Sequence, residues 1–363
     1  MSLPEAEAQV DEIDMWLSDE DAFDADPVDS QKRRDRAIRA AIEHHRSRNS
    51  MFDAYCHRLG LGTGACLPLL DSIPCLPSSV FKSLPEPVRS ETGDGVITTS
   101  SGTQGSVSRV FRDDVTLMRF FGTIAASIRR LLDIENSETK VYNLGPTVEQ
   151  SQHLWISYVM AGVSLVHDSE FYVDSNVLDR RAAMEDLADH KGRPAVLVGP
   201  PALVVDLAQY VRDQGGLDLS ADLTVVTIGG WKKRTSERVS RPDLERLVAE
   251  AFQVERDGGV RDAFNMVELN TVIMECEHRT FHVPPWLLAR ARDPKTLKTL
   301  KPGETGILAY ADPTATSYPC FVLSDDFGSV REAETCACGI TGDVLRVERR
   351  INKLETRGCA LKI

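Results

Sequence analysis

Two groups of residues in this chain have types and spacings that could do chemistry. The run Thr98-Thr99-Ser100-Ser101-Gly102-Thr103-Gln104-Gly105 gathers small and hydroxyl-bearing residues into one turn. Such residues let a backbone fold closely around phosphate oxygens while amide and hydroxyl groups donate to them. It is not a Walker loop, because no Gly-Lys-Ser/Thr closes it; a plain Ser/Gly-rich turn is the alternative. The second group is Cys276 and His282, six residues apart, with the close pair Cys336 and Cys338. A Cys3His set suits tetrahedral Zn²⁺. No open position or catalytic acid is implied, so such a zinc is structural. His278 competes as a ligand, and two unrelated thiol pairs are the alternative.

These residues need a scaffold. Apolar runs at 140–145, 163–167, 195–199 and 223–228 read as buried strands, with helical patterns near 148–161, 176–190, 201–213 and 235–253. Strands separated by helices predict βαβ units and a parallel sheet covered on both faces. Val96 and Ile97 read as a strand end before the Ser/Gly run. A helix follows at 114–132, where Leu117, Phe121, Ile124, Ile128 and Leu131 form one apolar stripe. Residues 31–59 read as a helix and 60–95 as loops and short extended pieces. After about residue 265, Pro, Gly and short apolar runs predict a smaller β-rich part.

The chain has 363 residues and a net charge of −13. Residues 1–29 carry eleven acids and no Lys or Arg, so the rest is only about two charges negative. This acidic arm contains Met15, Trp16, Leu17 and Phe23, which would let it dock as a short helix; a disordered tail is the alternative. No basic patch supports nucleic-acid binding. No window reaches the ~18–20 apolar residues of a membrane span, and no secretory leader is visible. Eight cysteines are too sparse for a disulfide scaffold, so a cytoplasmic, reduced protein is expected.

Further motifs follow in order: Gly229-Gly230-Trp231-Lys232, Phe264-Asn265-Met266-Val267-Glu268, Gly303-Glu304-Thr305-Gly306-Ile307-Leu308, Ser324-Asp325-Asp326-Phe327-Gly328, Arg349-Arg350-Ile351 and Arg357-Gly358-Cys359-Ala360-Leu361. Over roughly residues 50–363 this series resembles the acyl-adenylate-forming superfamily. Within it, the chain looks like the acyl-protein synthetases of bacterial luminescence (LuxE-type) and the related phenylacetate–CoA ligases. Ile73-Pro74, Leu76-Pro77 and Phe81-Lys82 resemble the former group's entry segment, and Arg357-Gly358-Cys359 its ending. The phenylacetate ligases also carry a pattern similar to the Cys/His set.

The resemblance implies a fold and roles. The fold is α/β: doubly wound, mostly parallel sheets with a smaller β-rich part and a truncated C-terminal lid. The expected division is an acidic arm (1–30), an adenylate-forming core (31–345) and a truncated C-terminal segment (346–363). Thr99 to Gly105 would hold the phosphates of ATP, and Glu268 the Mg²⁺ against them. Asp326 would hold the ribose hydroxyls. Arg350 matches the hinge arginine, and Gly229, Gly230 and Trp231, with Asn265 nearby, would border adenine or the acyl group. A carboxylate would attack the α-phosphorus and release pyrophosphate, with Mg²⁺ and a cation offsetting the repulsion of two anions. His153, on the expected helix after Pro146, falls near the acyl pocket of relatives; a satisfied core histidine is the alternative.

Two departures stand out. Relatives have Thr before the acid; here it is Val267, which removes one hydrogen bond worth roughly 1 kcal/mol. Relatives also carry a C-terminal lid with a catalytic lysine, whereas only thirteen residues follow Arg350 here. Lys232 is the candidate replacement cation, a solvated lysine the alternative. Cys359 lies nine residues after the hinge arginine. Its thiolate, favoured by Arg349, Arg350 and Arg357, would take the acyl group as a thioester; a buried inert thiol is the alternative.

The resulting expectation is an ATP- and Mg²⁺-dependent enzyme that activates a carboxylic acid and passes the acyl group through Cys359 to a reductase or carrier protein. Transfer to coenzyme A or a carrier's phosphopantetheine thiol is the enzymatic rival. Activated phosphate chemistry on a non-carboxylate substrate is a more distant one, kept open by Val267. An inactive homologue acting as a binding subunit is the rival from another class.

Overall fold

The computed structural model describes residues 12–62, 73–101, 107–132, 139–165, 167–175, 177–189, 192–219, 222–230, 239–254 and 259–350, the side chains of 349 and 350 excepted. At its centre is a twelve-stranded sheet. Five strands run parallel in the spatial order Asp168–Phe171, Lys140–Asn143, Ala195–Gly199, Leu223–Ile228, Val260–Phe264. Helices Trp155–Ser164, Arg180–Asp189, Pro201–Asp213 and Arg241–Phe252 make the crossovers.

Alternation along the strands explains why both faces are covered. Val196, Val198, Val226 and Ile228 enter one core with Phe120, Ile124 and Val159 from helices Asp114–Leu131 and Trp155–Ser164. Ala195, Leu197, Leu223 and Val225 enter a second with Leu187, Leu207 and Val248 from the other three helices. Successive side chains of a strand point to opposite faces, so a continuous apolar run demands two cores. The structure is thus α/β and doubly wound.

The β-rich part does not stand apart. Strands Ile273–Glu275, Phe281–His282, Thr341–Arg350, Phe321–Thr335, Gly306–Ala311 and Leu288–Arg292 extend the same sheet, each antiparallel to the one before. Residues 346–350 of the expected C-terminal segment complete one of these strands; 351–363 lie outside the described residues.

One expected strand is displaced. Residues 163 and 164 finish a helix, and the strand is Asp168–Phe171. Val163 continues the buried helical face of Val159 and Met160; so short an apolar run fits either periodicity. The expected helix at 31–59 is two helices, Pro27–Arg48 and Ser50–Arg58. Asn49 divides them: its side chain accepts from the Phe52 amide and donates to the Arg89 carbonyl.

The described part of the acidic arm is docked. Residues 12–18 are helical, and Trp16 is 1 % exposed. Trp16 and Phe23 meet Trp286 edge-on, with ring centroids 6.4 and 5.7 Å away. Asp14 and Asp24 pair with Arg119 and Arg130 of the helix Asp114–Leu131, at 2.8 and 2.6 Å. The arm's charge therefore meets the core's cations. Among the described residues, no helix is long and apolar enough to cross a membrane.

Candidate nucleotide site and metal cluster

Strands Val96–Thr99 and Arg109–Arg112 form an antiparallel hairpin that carries the Ser/Gly run at its tip. The mouth of that loop is stapled: the Ser100 amide donates to the Ser108 carbonyl at 3.1 Å, and the Ser108 amide to Ser100 Oγ at 3.0 Å. Thr99 and Ser100 are half-buried and Ser101 is exposed; Gly102, Thr103, Gln104 and Gly105 lie outside the described residues. From the mouth, Ser108 Oγ donates to Glu268 Oε1 at 2.5 Å. Both residues are buried, Ser108 at 1 % and Glu268 at 3 % exposure. The phosphate-loop candidate and the Mg²⁺-acid candidate are thereby brought together.

Glu268 sits in a braced loop. Asn265 Nδ2 donates to the Leu269 and Thr271 carbonyls at 3.3 and 2.8 Å, while its Oδ1 accepts from Trp155 Nε1. Asn265, expected to border the nucleotide, thus also shapes the loop that carries the acid. The side chain of Val267 is buried, and its carbonyl accepts from Arg112 at 2.6 Å. Arg112 is fully buried and packs over the Trp155 ring at 3.5 Å. Desolvation lowers its pKa, while Tyr318, Cys320, Glu268 and Asp312 act in the opposite direction.

Other candidates gather at the C-terminal ends of the parallel strands, where open α/β sheets bind their ligands. Gly229 and Gly230 follow the strand ending at Ile228 and are exposed, Gly229 with φ +77°. Asn265 follows the strand ending at Phe264. The Thr99 amide donates to the His153 carbonyl at 3.1 Å, and His153 Nδ1 bonds the Tyr158 hydroxyl at 2.6 Å. Gln152 and His153 adopt positive φ of 51° and 64°. His153 therefore lies on the turn before the helix Trp155–Ser164, against the phosphate hairpin, rather than on the helix.

Asp326 is 9 % exposed on the strand Phe321–Thr335, register-paired with Arg350 across the neighbouring strand. Together with burial, its charge raises the pKa of Tyr310. The Tyr310 ring lies 6.1 Å from that of Phe264, the residue before Asn265. The Arg350 side chain, Trp231, Lys232 and Cys359 lie outside the described residues. Sequence reasoning missed Ser108, Arg112 and Trp155. Ser108 follows the Ser/Gly run closely, but nothing in the chain's linear order couples it to Glu268.

Two tight turns build the metal cluster. The Cys276 amide donates to the Thr280 carbonyl and the Cys336 amide to the Ile340 carbonyl, at 3.1 and 2.9 Å. The candidate ligand atoms of Cys276, His282, Cys336 and Cys338 all lie within 4.8 Å of one another. Sγ of Cys276 is 3.8 Å from Sγ of Cys336, and Sγ of Cys338 is 3.3 Å from Nε2 of His282. Bond lengths of ~2.3 Å to sulfur and ~2.0 Å to nitrogen give tetrahedral edges of about 3.5–3.8 Å, so the set fits zinc. Burial lowers the His282 pKa to about 4, keeping the imidazole neutral as a ligand must be. His278, the competing ligand, is exposed and paired with Glu277.

A doubly wound sheet with a hydroxyl-rich hairpin and buried acid at its carboxyl edge is the architecture of the adenylate-forming ligases. The fold matches an open conformation of 2-hydroxyisobutyryl-CoA ligase solved with 2-hydroxyisobutyryl-AMP and CoA, with a TM-score of 0.68 at 13 % identity, over 89 % of this chain and 70 % of that one. At that identity the likeness is one of fold. The family model "Acyl-protein synthetase, LuxE" matches residues 5–363, and the chain belongs to that family. It is 34 % identical to a long-chain-fatty-acid–luciferin-component ligase of Aliivibrio fischeri, over 91 % of this chain and 87 % of the relative. It is 35 % identical to the ligase of that name from Vibrio harveyi, over 90 % and 86 %. The chain is an enzyme of the ligase class, of acyl-protein synthetase type.

Proposed function

We propose that this ligase activates a long-chain fatty acid with ATP and Mg²⁺, holds the acyl group on Cys359 and delivers it to a partner protein. The substrate class follows the names of the two curated relatives. The observation that carries the nucleotide reading is the hydrogen bond from Ser108, at the mouth of the hydroxyl-rich loop, to Glu268. That bond holds a buried carboxylate against the mouth of the loop.

The acid's carboxylate oxygen attacks the α-phosphorus, and the bond to the departing pyrophosphate breaks. Thr99 to Gly105 cradle the phosphates, Glu268 holds Mg²⁺, Asp326 the ribose hydroxyls, and Lys232 or Arg350 supplies the cation. Gly229, Gly230, Trp231 and Asn265 border the adenine or acyl group. The Cys359 thiolate then attacks the acyl carbon, expelling AMP and forming a thioester. The partner is an acyl-accepting reductase or carrier protein. Cys276, His282, Cys336 and Cys338 hold a structural zinc; the thiols it needs accord with a reducing cytoplasm. Residues 31–345 form the adenylating core, with 1–30 as an arm and 346–363 as a C-terminal segment.

Acid-dependent ATP–pyrophosphate exchange over a panel of fatty, aryl and amino acids tests this reading. The highest exchange is expected with long-chain fatty acids. Exchange with none would leave a binding subunit as the better account, and preference for aryl or amino acids would overturn the substrate class.

A further inference from the structure

A buried guanidinium stands behind the loop that carries Glu268. Arg112 lies on the second strand of the phosphate hairpin and is 0 % exposed. Its donors reach Thr98 Oγ1 on the facing strand, the Val267 carbonyl at 2.6 Å, Asn270 Oδ1 at 3.2 Å and the Tyr318 hydroxyl at 3.2 Å. All four acceptors are neutral oxygens. Val267 and Asn270 bracket Glu268 in sequence, so one planar group grips both ends of the segment that presents the acid.

Bracing alone does not need a charge. A buried ion costs much of its hydration, and neutral groups of similar volume fill such places at lower cost. The guanidinium locks the 267–270 segment to the hairpin through a rigid planar fork that a neutral brace does not offer.

We propose that Arg112 is a positioning residue for the Mg²⁺ of Mg·ATP, acting through Glu268 by tying the 267–270 segment to the phosphate hairpin. The inference rests on the reading of Glu268 as the Mg²⁺ acid. Outer-shell partners of metal ligands typically account for 10–100-fold in metal affinity, and Arg112 takes that place here.

Calorimetric ATP binding to the full chain, with Mg²⁺ and with Mg²⁺ chelated, tests the proposal without any acid substrate or turnover. In the unsubstituted protein Mg²⁺ tightens ATP binding. In Arg112→Lys that tightening falls about 10-fold or more, while metal-free ATP affinity stays within about 2-fold. A merely structural role would weaken both alike, and that result overturns the proposal. If Arg112→Lys does not fold, Tyr318→Phe, which removes one acceptor and leaves the charge, gives the same selective loss at smaller size; an unchanged Mg²⁺ effect there overturns it.

The Glu268→Gln background separates two failures. Arg112→Lys adds nothing further there if it acts through Glu268; an additive loss overturns the role of Arg112 alone. Glu268→Gln with undiminished Mg²⁺ tightening overturns the reading of Glu268, and the role of Arg112 with it.

Discussion

Ser108 and Glu268 stand 160 residues apart in the chain, yet Ser108 Oγ donates to Glu268 Oε1 at 2.5 Å. Ser108 is also the closing residue of the loop mouth, bonded twice to Ser100. One buried serine therefore joins the segment that would cradle phosphates to the acid that would hold their cation.

Removing that hydroxyl tests the junction. A hydrogen bond to a charged group contributes about 1.5–3 kcal/mol, which corresponds to roughly 10–150-fold in rate. Ser108→Ala is expected to slow ATP–pyrophosphate exchange by about that factor. Ser108→Thr keeps the hydroxyl and is expected to retain most of the rate. Equal rates for Ser108→Ala and the unsubstituted enzyme would show that Glu268 needs no such anchor.

Cys359 separates the two half-reactions. Cys359→Ala is expected to keep acid-dependent exchange and lose the acyl-protein adduct seen by intact mass spectrometry. An adduct of the same mass on the variant would place the acyl group elsewhere.

The thiol cluster predicts bound metal. Elemental analysis is expected to find about one zinc per chain, with its four ligands drawn from both turns. Chelation or Cys336→Ser lowers Tm by roughly 2–3 °C or more, since losing about 2 kcal/mol shifts a chain of this size by that amount. Metal-free protein of unchanged Tm would make the four residues an ordinary packed cluster.

The N-terminal arm is expected to matter for stability. Trp16 is almost wholly buried against Trp286, and truncating such a side chain costs about 3–5 kcal/mol. Trp16→Ala is expected to lower the urea midpoint and expose residues before Pro27 to protease. A variant as stable and as protease-resistant as the parent would mean the arm contributes little.

Asp262 predicts a pH dependence of stability. Burial, with the adjacent Glu275 charge, raises its pKa from 3.8 to about 6. The folded form then binds this proton more tightly than the unfolded form. The associated stability is present below pH ~4 and is lost as pH rises through about 6, amounting to about 2–3 kcal/mol at most. Asp262→Asn is expected to flatten the stability profile between these values and to stabilise the protein above them. A slope unchanged by the substitution would assign the dependence to other groups.

Much of the architecture was legible in the sequence, because the signals are local. The apolar runs at 195–199 and 223–228 are strands at the expected places, since short apolar-rich runs between helical patterns need cover on both faces. The cysteine and histidine spacing pointed to the four residues that converge, since two tight turns can each present a pair of ligands. Residues 163–167 misled, because so short an apolar-rich run satisfies the helical and the strand period equally.

What linear order could not give is which side chains meet. Glu268 could be listed as an acid, but its partner Ser108 and the Arg112 brace come from a hairpin more than 150 residues earlier, set in place by packing of the helix and sheet. The choice of His282 over His278 is likewise tertiary: one side chain turns into the sheet toward Cys338, the other toward solvent. The sequence determined the elements and the kinds of chemistry on offer, because these depend on residue type and short-range period. The folded chain alone decided the constellation, because contact between distant residues is fixed by how the sheet's two faces and its carboxyl edge are filled.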